Sequence, residues 1–201
     1  MTTPYPEIDK ENIRKLDLYQ YKGETIVIND LKRWNEIEQD LLSETIIGFD
    51  TERKPSFKKG NKNPVSLIQI ATRDKVLLLR LNHMKIPYEL VRILNDPEIL
   101  KIGVGLDDDI QGLKSIKNFK PAGFIDLGKY FRANEYKQSS LKYLAAMVLN
   151  VRISKNKQIS NWERETLTPA QITYAATDAW IPREIYLALI QDENFPEVMT
   201  D

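Results

Sequence analysis

Short runs of apolar and β-branched residues recur along the chain, and segments with apolar residues at helical spacing lie between them. The short runs predict β-strands and the segments between them predict helices. The predicted strands are residues 25–28, 45–49, 65–71, 76–81, 100–104 and 124–126, and the predicted helices are residues 31–42, 88–94, 107–116, 141–149 and 169 to beyond 178. This alternation favours an α/β fold in which helices cover both faces of a sheet.

The turn at residues 72–75 separates two predicted strands and indicates an antiparallel hairpin. We therefore expect a central mixed β-sheet that includes one antiparallel hairpin. No repeat or linker divides the 201 residues, so residues 22–201 are predicted to form a single domain. Residues 1–21 are polar and contain two prolines, which indicates an N-terminal leader or a packed arm.

The composition excludes several kinds of site. The chain has no cysteine and one histidine, His83, which excludes disulfides, zinc fingers, thiolate catalysis and paired-histidine metal sites. The 29 basic and 29 acidic residues give a net charge of zero, which argues against attachment to nucleic acid by overall positive charge. The apolar runs are too short to cross a bilayer and the N-terminus lacks a secretory pattern, so we expect no membrane association and a cytoplasmic protein.

Asp50 and Glu52 directly follow the predicted strand at residues 45–49. Strand periodicity places both carboxylates on one face, at the end of a buried element. Two carboxylates this close repel each other and are stabilised by a cation. The pair is also compatible with ordinary surface acids in a solvated turn, because acidic residues two positions apart are common in this chain.

Two further acidic positions lie at the ends of predicted core elements. Asp109 closes a run of three acids after the strand at residues 100–104, where acids also favour the start of a helix. Tyr174 and Asp178 lie four residues apart on the last predicted helix and share a face of it. Each feature alone fits an ordinary helix, but together they supply the oxygen ligands that hard divalent cations prefer.

This combination of carboxylates suits two metal ions that clamp a phosphodiester during in-line displacement. The residues also form motifs that resemble those of the DEDD superfamily of 3′–5′ exonucleases, in its tyrosine branch. The motifs are the segments 48–52, 65–71, 101–109 and 174–179, supported by 141–145, 160–162 and 167–169. The resemblance spans residues 22 to 191 and is strongest to ribonuclease D and the Werner-syndrome exonuclease domain.

The resemblance implies a ribonuclease-H-like fold and two divalent cations, Mg²⁺ or Mn²⁺. It implies that the metal ligands are Asp50, Glu52, Asp109 and Asp178, with Asp50 bridging the ions and Glu52 and Asp178 completing the inner site. Tyr174 would orient or help deprotonate the attacking water. The histidine branch carries its base at the position of Thr173, so the tyrosine branch fits this chain.

The activity implied by the resemblance is hydrolysis of nucleic acid from the 3′ end to nucleoside 5′-monophosphates. The expected partner is a single-stranded or 3′-recessed nucleic acid, with DNA favoured slightly over RNA. Two alternatives stay open: an RNA-processing exoribonuclease like ribonuclease D, and a catalytically weak nucleic-acid-binding module.

A lysine-rich loop follows the first acidic motif, and two more basic stretches lie at residues 114–120 and 152–157. The loop leaves the sheet beside Asp50 and Glu52, so we expect it to contact phosphates. Its candidate nucleic-acid-binding residues are Arg53, Lys54, Phe57, Lys58, Lys59 and Lys62, with Phe57 placed to stack on a terminal base.

Pro182 lies four residues after Asp178, within a segment that otherwise continues as a helix. Proline removes the hydrogen bond to the carbonyl of Asp178 and its ring clashes with that carbonyl. We therefore predict a kink just after the last acidic residue of the motif.

Overall fold

The structure is a computed structural model that describes residues 5–56 and 62–192. It contains a six-stranded sheet with the strand order β1-β4-β3-β2-β5-β6. The strands are β1 (Glu24–Ile28), β2 (Ile46–Arg53), β3 (Val65–Ala71), β4 (Lys75–Arg80), β5 (Leu100–Gly103) and β6 (Phe124–Asp126). Among these strands β3 alone runs antiparallel to its neighbours, which gives the expected mixed sheet.

Eight helices surround the sheet in the described part of the chain. They are α1 (Lys10–Lys15), α2 (Leu31–Asn35), α3 (Glu38–Leu42), α4 (Tyr88–Asn95), α5 (Asp107–Ile116), α6 (Leu127–Ala133), α7 (Leu141–Leu149) and α8 (Pro169–Leu189). None of the described helices is both long enough and apolar enough to cross a membrane.

Strand alternation divides the core into two layers. On one face, Ile68 and Ile70 of β3 pack with residues of α2, α3, α4 and α5. On the other face, Leu67 and Ala71 of the same strand pack with the alanine-rich first half of α8. The second half of α8 packs with α6, α7 and β5. Helices therefore cover both faces, as the sequence predicts.

Helix α8 is the longest helix described, and it begins at the residue that the sequence predicts. Thr168 accepts a hydrogen bond from the backbone of Gln171, while the Gln171 side chain accepts one from the backbone of Thr168. This capping box, with Pro169 at the first helical position, fixes the start of the helix. Leu167 and Ile172 both pack in the core beneath it, as a hydrophobic staple requires.

The helix continues without a break through Pro182 to Leu189. The segment after Asp178 is therefore helical, and the kink predicted there stays a prediction. Buried residues on both sides of the proline, Ile181 and Ile185, hold the helix against the sheet. This packing offsets the hydrogen bond that proline cannot make.

Helix α8 approaches the sheet very closely at one point. A Cβ added to Gly48 of β2 would overlap the carbonyl oxygen of Ala179 and lie 3.2 Å from the Cβ of Ala71. Only glycine leaves room for the helix backbone at this position, because the obstructing atom belongs to the main chain. This contact brings the middle of α8 directly over β2.

The segment before β1 is packed against the domain. Ile13 of α1 is buried, and Tyr19 donates a backbone hydrogen bond to Arg152, which in turn donates one to Asp17. The backbone N–H of Tyr21 donates to the side chain of Thr177 at 3.0 Å. The described residues of this N-terminal arm are therefore packed against the domain.

Four elements differ from the sequence-based predictions. Strand β2 does not end at Asp50 but continues to Arg53, because its pairing with β3 continues to Val65. The single helix predicted for residues 31–42 is two short helices, interrupted at Ile37, whose backbone is not helical. Helices α1 and α6 were not predicted, and each begins at an aspartate whose side chain caps it.

We expect Gly48→Ala to destabilise the protein by about 2 kcal/mol or more, because the added methyl group meets backbone that cannot rotate away. Thermal or denaturant unfolding measures the change. The control is Lys32→Ala, at an exposed position of α2. Equal stability losses in the two variants would contradict the close approach at Gly48.

Candidate active site

A cavity of about 270 Å³ opens where β2 meets the middle of α8. Asp50 and Glu52 line it from β2, and Tyr174 and Asp178 line it from α8. The opposite wall is formed by the start of α7 and by the segment between α7 and α8. The cavity therefore collects four of the five residues that the sequence predicts to be catalytic.

Asp50 and Glu52 project from the same face of β2, within the strand rather than after it. Across the ladder they face Gln69 and Leu67 of β3, and the register shifts only after Glu52. Strand β2 pairs with β5 up to Gly48 and with β3 through Asp50 and Glu52, so its pairing with β3 fixes the backbone at both carboxylates. The two carboxylates are consequently held by a rigid central strand and not by a loop.

Asp178 reaches this pair from α8 because Gly48 allows the helix to approach. Carboxylate oxygens of Asp50, Glu52 and Asp178 all lie within 4.8 Å of one another. Asp178 is buried, and the other two are half-buried. The structure thus brings together three of the four predicted metal ligands in a single cluster, which we call the carboxylate cluster.

Asp109, the fourth predicted ligand, lies beside this cluster, in the first turn of α5. Its carboxylate accepts a hydrogen bond of 2.5 Å from the hydroxyl group of Thr51 on β2. Its negative charge acts on Asp50 and helps to raise the pKa of that carboxyl group. Asp109 is therefore near the cluster, and its carboxylate is held by a hydrogen bond from Thr51. Thr51 was not among the site residues predicted from the sequence.

Burial raises the pKa of every carboxyl group in this site, and mutual repulsion adds to the rise for Asp50 and Glu52. Burial and the charges of Asp109, Asp178 and Glu52 raise the pKa of Asp50 well above its usual value. Burial, followed by the charges of Asp178 and Asp109, raises the pKa of Glu52 to about 9. Burial raises the pKa of Asp109 to about 6, although the Thr51 hydrogen bond and Arg53 oppose the rise. Negative charge is thus disfavoured throughout the site.

Asp178 and Tyr174 interact on one face of α8. Burial raises the pKa of Asp178 to about 7, while the Tyr174 hydroxyl group and the positive charge of Lys155 oppose the rise. Burial and the neighbouring carboxylates raise the pKa of Tyr174 as well. The buried indole N–H of Trp162 lowers the pKa of Glu52 by its proximity, but it makes no hydrogen bond of standard geometry within the described residues.

The donor set fits divalent cations. Every candidate ligand is a carboxylate oxygen, which hard ions such as Mg²⁺ and Mn²⁺ prefer. Burial raises the pKa values of these carboxyl groups, and neighbouring negative charge further disfavours the ionised forms of Asp50 and Glu52. A bound cation would remove that repulsion, so the residues present match the ions that the family implies.

Gln69 is a polar group near the cluster that sequence reasoning did not interpret. It is fully buried directly across the ladder from Asp50, on the face that α8 covers. Neither its amide nitrogen nor its amide oxygen has a hydrogen-bond partner among the described residues. An unpaired buried amide is costly, so a group at this position is typical of a functional site.

The described basic residues of the predicted nucleic-acid-binding loop are engaged with the protein itself. Arg53 donates to the backbone carbonyl of Asp108 at 2.5 Å and packs over Gly112. Lys62 lies 2.7 Å from the Asp108 carboxylate, and the Lys54 ammonium lies 3.2 Å from the carboxylate of Glu163. Phe57, Lys58 and Lys59 lie outside the described residues, so their predicted contacts stay predictions.

The remaining wall of the cavity carries residues absent from the predicted site. Lys142 lines it from the first turn of α7, and Lys155 and Gln158 line it from the segment that follows. The sequence showed Lys155 only as part of a basic stretch. Its approach to the carboxylate cluster depends on the packing of α7 against α8, which no local pattern reveals.

Comparisons with known proteins agree with this geometry. A family model described as 3′–5′ exonuclease matches residues 25–192. The chain is 33% identical over 186 residues to human exonuclease 3′-5′ domain-containing protein 2, covering 84% of this chain and 30% of the relative. It is also 33% identical over 162 residues to the mouse bifunctional 3′-5′ exonuclease/ATP-dependent helicase WRN, covering 77% of this chain and 11% of that protein.

Solved structures show the same fold. Ribonuclease D of Trypanosoma brucei, in its complex with GMP, superposes with a TM-score of 0.78 at 20% identity, covering 87% of this chain and 59% of that chain. The resemblance inferred from the motifs is thereby confirmed, as is the ribonuclease-H-like fold. The chain spans about a third or less of the length of the two curated relatives described above.

We expect the metal-free protein to lose stability as the pH rises from about 5.5 to 9. The pKa values of Asp109, Asp178 and Glu52 in the folded state are about 6, 7 and 9. Over this range the folded state therefore binds more protons than the unfolded state. The free energy of unfolding decreases as the pH rises and these groups ionise. Thermal unfolding in a chelator across this range measures the effect, and added Mn²⁺ should reverse the loss at high pH.

Asp178→Asn tests the origin of this effect. In chelator at pH 8 the variant should melt about 3 °C or more above the wild type, which corresponds to about 1 kcal/mol in a chain of this size. It should also gain less stability from Mn²⁺. The control is Glu98→Gln, which removes an exposed charge from the turn before β5. A variant that melts below the wild type at pH 8 would show that the carboxylates do not repel one another.

Proposed function

The chain belongs to the 3′–5′ exonuclease family of the DEDD superfamily, and from this membership we propose that it removes nucleotides one at a time from the 3′ end of a nucleic acid strand. The products would be nucleoside 5′-monophosphates. The observation that carries the proposal is the carboxylate cluster of Asp50, Glu52 and Asp178, with Asp109 beside it. Since the chain covers only part of its relatives, the proposal concerns this domain.

Two divalent cations, Mg²⁺ or Mn²⁺, would be held by Asp50, Glu52, Asp109 and Asp178. When bound, such ions activate water and stabilise charge on the oxygens of a phosphodiester. The chain itself supplies the rigid placement of the ligands. Strand β2 fixes two of them, α8 brings the third, and the Thr51 hydroxyl group orients Asp109.

Tyr174 is the residue that we propose to orient the attacking water, which places this chain in the tyrosine branch. Its side chain lines the cavity, and one turn of α8 separates it from Asp178. Its ring lies 6.1 Å from the ring of Trp162, between centroids, and this buried neighbour restricts its movement. Thr173 occupies the position where the other branch carries histidine, and His83 lies elsewhere, in the segment after β4.

The substrate is proposed as a single-stranded or 3′-recessed strand, with DNA slightly preferred to RNA. The likeness to ribonuclease D is at 20% identity and supports the fold alone, so it does not favour RNA. The described cavity contains carboxylates, lysines and a tyrosine, and discrimination between DNA and RNA depends on contacts to the 2′-hydroxyl group. Both substrates therefore belong in the test.

Asp50→Ala tests the activity. We expect the wild type to shorten 5′-labelled DNA or RNA stepwise with Mg²⁺ or Mn²⁺, and the variant to lose activity by about 10³-fold or more. Gel electrophoresis of a single strand, a recessed duplex and an RNA gives the substrate order, and chromatography identifies the released nucleotide. Glu98→Gln is the matched control. Wild-type protein that shortens none of these strands with either ion would refute the proposal.

Tyr174→Phe tests the role of the hydroxyl group alone. Because only one hydrogen-bonding group is lost, we expect kcat to fall by about 10²-fold, with KM changed little. Mn²⁺-induced stabilisation should persist, since the four carboxylates are intact. A variant with wild-type kcat would remove Tyr174 from the mechanism.

A further inference from the structure

In the part of the chain that the structure describes, basic residues near the cavity form two groups. On the side of β2 and α5, the residues Arg53, Lys54 and Lys62 each contact an oxygen atom of the protein itself. On the side of α7, Lys142 and Lys155 line the cavity that contains the carboxylate cluster. We call these two residues the lysine wall.

The lysine wall forms no direct ion pair with a carboxylate of the described residues. Neither ammonium group makes a salt bridge there, and the contact recorded for Lys142 is a cation–π approach of 6.0 Å to the ring of Tyr143. That contact leaves the N–H donors of Lys142 available. Lys155 lies close enough to Asp178 to lower its pKa, which places its charge at the edge of the cluster.

The backbone that carries these lysines is well anchored. Lys142 lies in the first turn of α7, whose N-terminal residue, Leu141, also lines the cavity. The N–H groups of a first helical turn add to the favourable field for an anion. Before Lys155, Ile153 is buried, and Arg152 is bonded to the N-terminal arm through its backbone and its guanidinium group. The wall is therefore placed before any substrate arrives.

The two groups differ in what binding a phosphate would require. Lys62 must give up an ion pair of 2.7 Å with Asp108, and Lys54 one of 3.2 Å with Glu163. The lysine wall gives up no ion pair within the described structure. The carboxylates of the cluster would neutralise the metal ions bound there. Backbone phosphates of the nucleic acid beyond the scissile one therefore need positive charge from elsewhere in the protein.

We propose that Lys142 and Lys155 bind backbone phosphates of the strand next to the point of cleavage. This inference rests on the proposed function and adds the surface that holds the strand. It places phosphate contacts at the start of α7 and in the segment after it, in addition to the loop after β2 where the sequence predicts them.

Binding of a 5′-fluorescein-labelled oligothymidylate, measured by anisotropy over a range of salt concentrations, tests the proposal. Ca²⁺ replaces Mg²⁺, and a gel confirms that the strand stays intact. Each of Lys142→Gln and Lys155→Gln should weaken binding and lower the slope of log K against log salt by about 0.7, the value for one phosphate contact on a single strand. Lys155→Arg, which keeps the charge, should retain most of the wild-type slope.

The matched control is Lys32→Gln, an equal change of charge at an exposed position of α2, which packs against the edge strand β1. Melting temperatures of all variants check that they fold. In the cleavage assay with Mg²⁺, the two wall variants should raise KM several-fold and leave kcat within about threefold of the wild type.

Two results would overturn the proposal that the lysine wall binds phosphates. In the first, Lys142→Gln and Lys155→Gln show the same slope of log K against log salt as the control Lys32→Gln. In the other, Lys62→Gln lowers the slope and the wall variants do not. If the wild type still shortens the strand, the proposed function stands in both cases. If the wild type cuts no strand, the proposed function fails, and the salt slopes alone decide whether the wall binds phosphate.

Discussion

Repulsion among buried carboxylates is the constraint on which the rest of this structure depends. Oxygens of Asp50, Glu52 and Asp178 lie within 4.8 Å of one another in a partly desolvated cavity, and their pKa values are raised. The fold has to hold these groups together against their own charge. It does so with a strand paired on both sides and a long helix whose start is capped and whose middle lies against Gly48. Stability gained in the hydrophobic core thus maintains an arrangement that favours a bound cation.

Much of this arrangement was predictable from local sequence. The apolar run before Asp50, the alternation that puts Asp50 and Glu52 on one face, and the capping box at Thr168 are all signals within a few residues. The spacing of Tyr174 and Asp178 is equally local. For these residues, nearby side chains dictate the elements that present them, and the predicted strand and helix are found in the structure, with β2 extended past Asp50 and Glu52.

The remaining features depend on pairs that are distant in sequence. Strand β2 extends to Arg53 because β3 continues to pair with it, and Thr51 contacts Asp109 only after α5 packs against the sheet. The same holds for the basic residues. Local sequence does not tell which of the five described lysines and arginines near the cavity is paired, whereas long-range contacts with Asp108 and Glu163 show which charges are already engaged. Local patterns identify candidate residues, and tertiary packing determines which of them are available.

The N-terminal arm is joined by hydrogen bonds to the segments that carry the active site. The family model matches from residue 25, but the arm before it is bonded to Arg152, near Lys155, and to Thr177, beside Asp178. Tyr5 reaches the far end of α8 through a hydrogen bond of 2.8 Å to Asp192. A shortened chain that begins at residue 25 would contain every acidic residue of the site. It would lack the N-terminal arm, which contacts both α8 and the segment between α7 and α8. The limits of the family model and the limits of the packed unit therefore do not coincide in this protein.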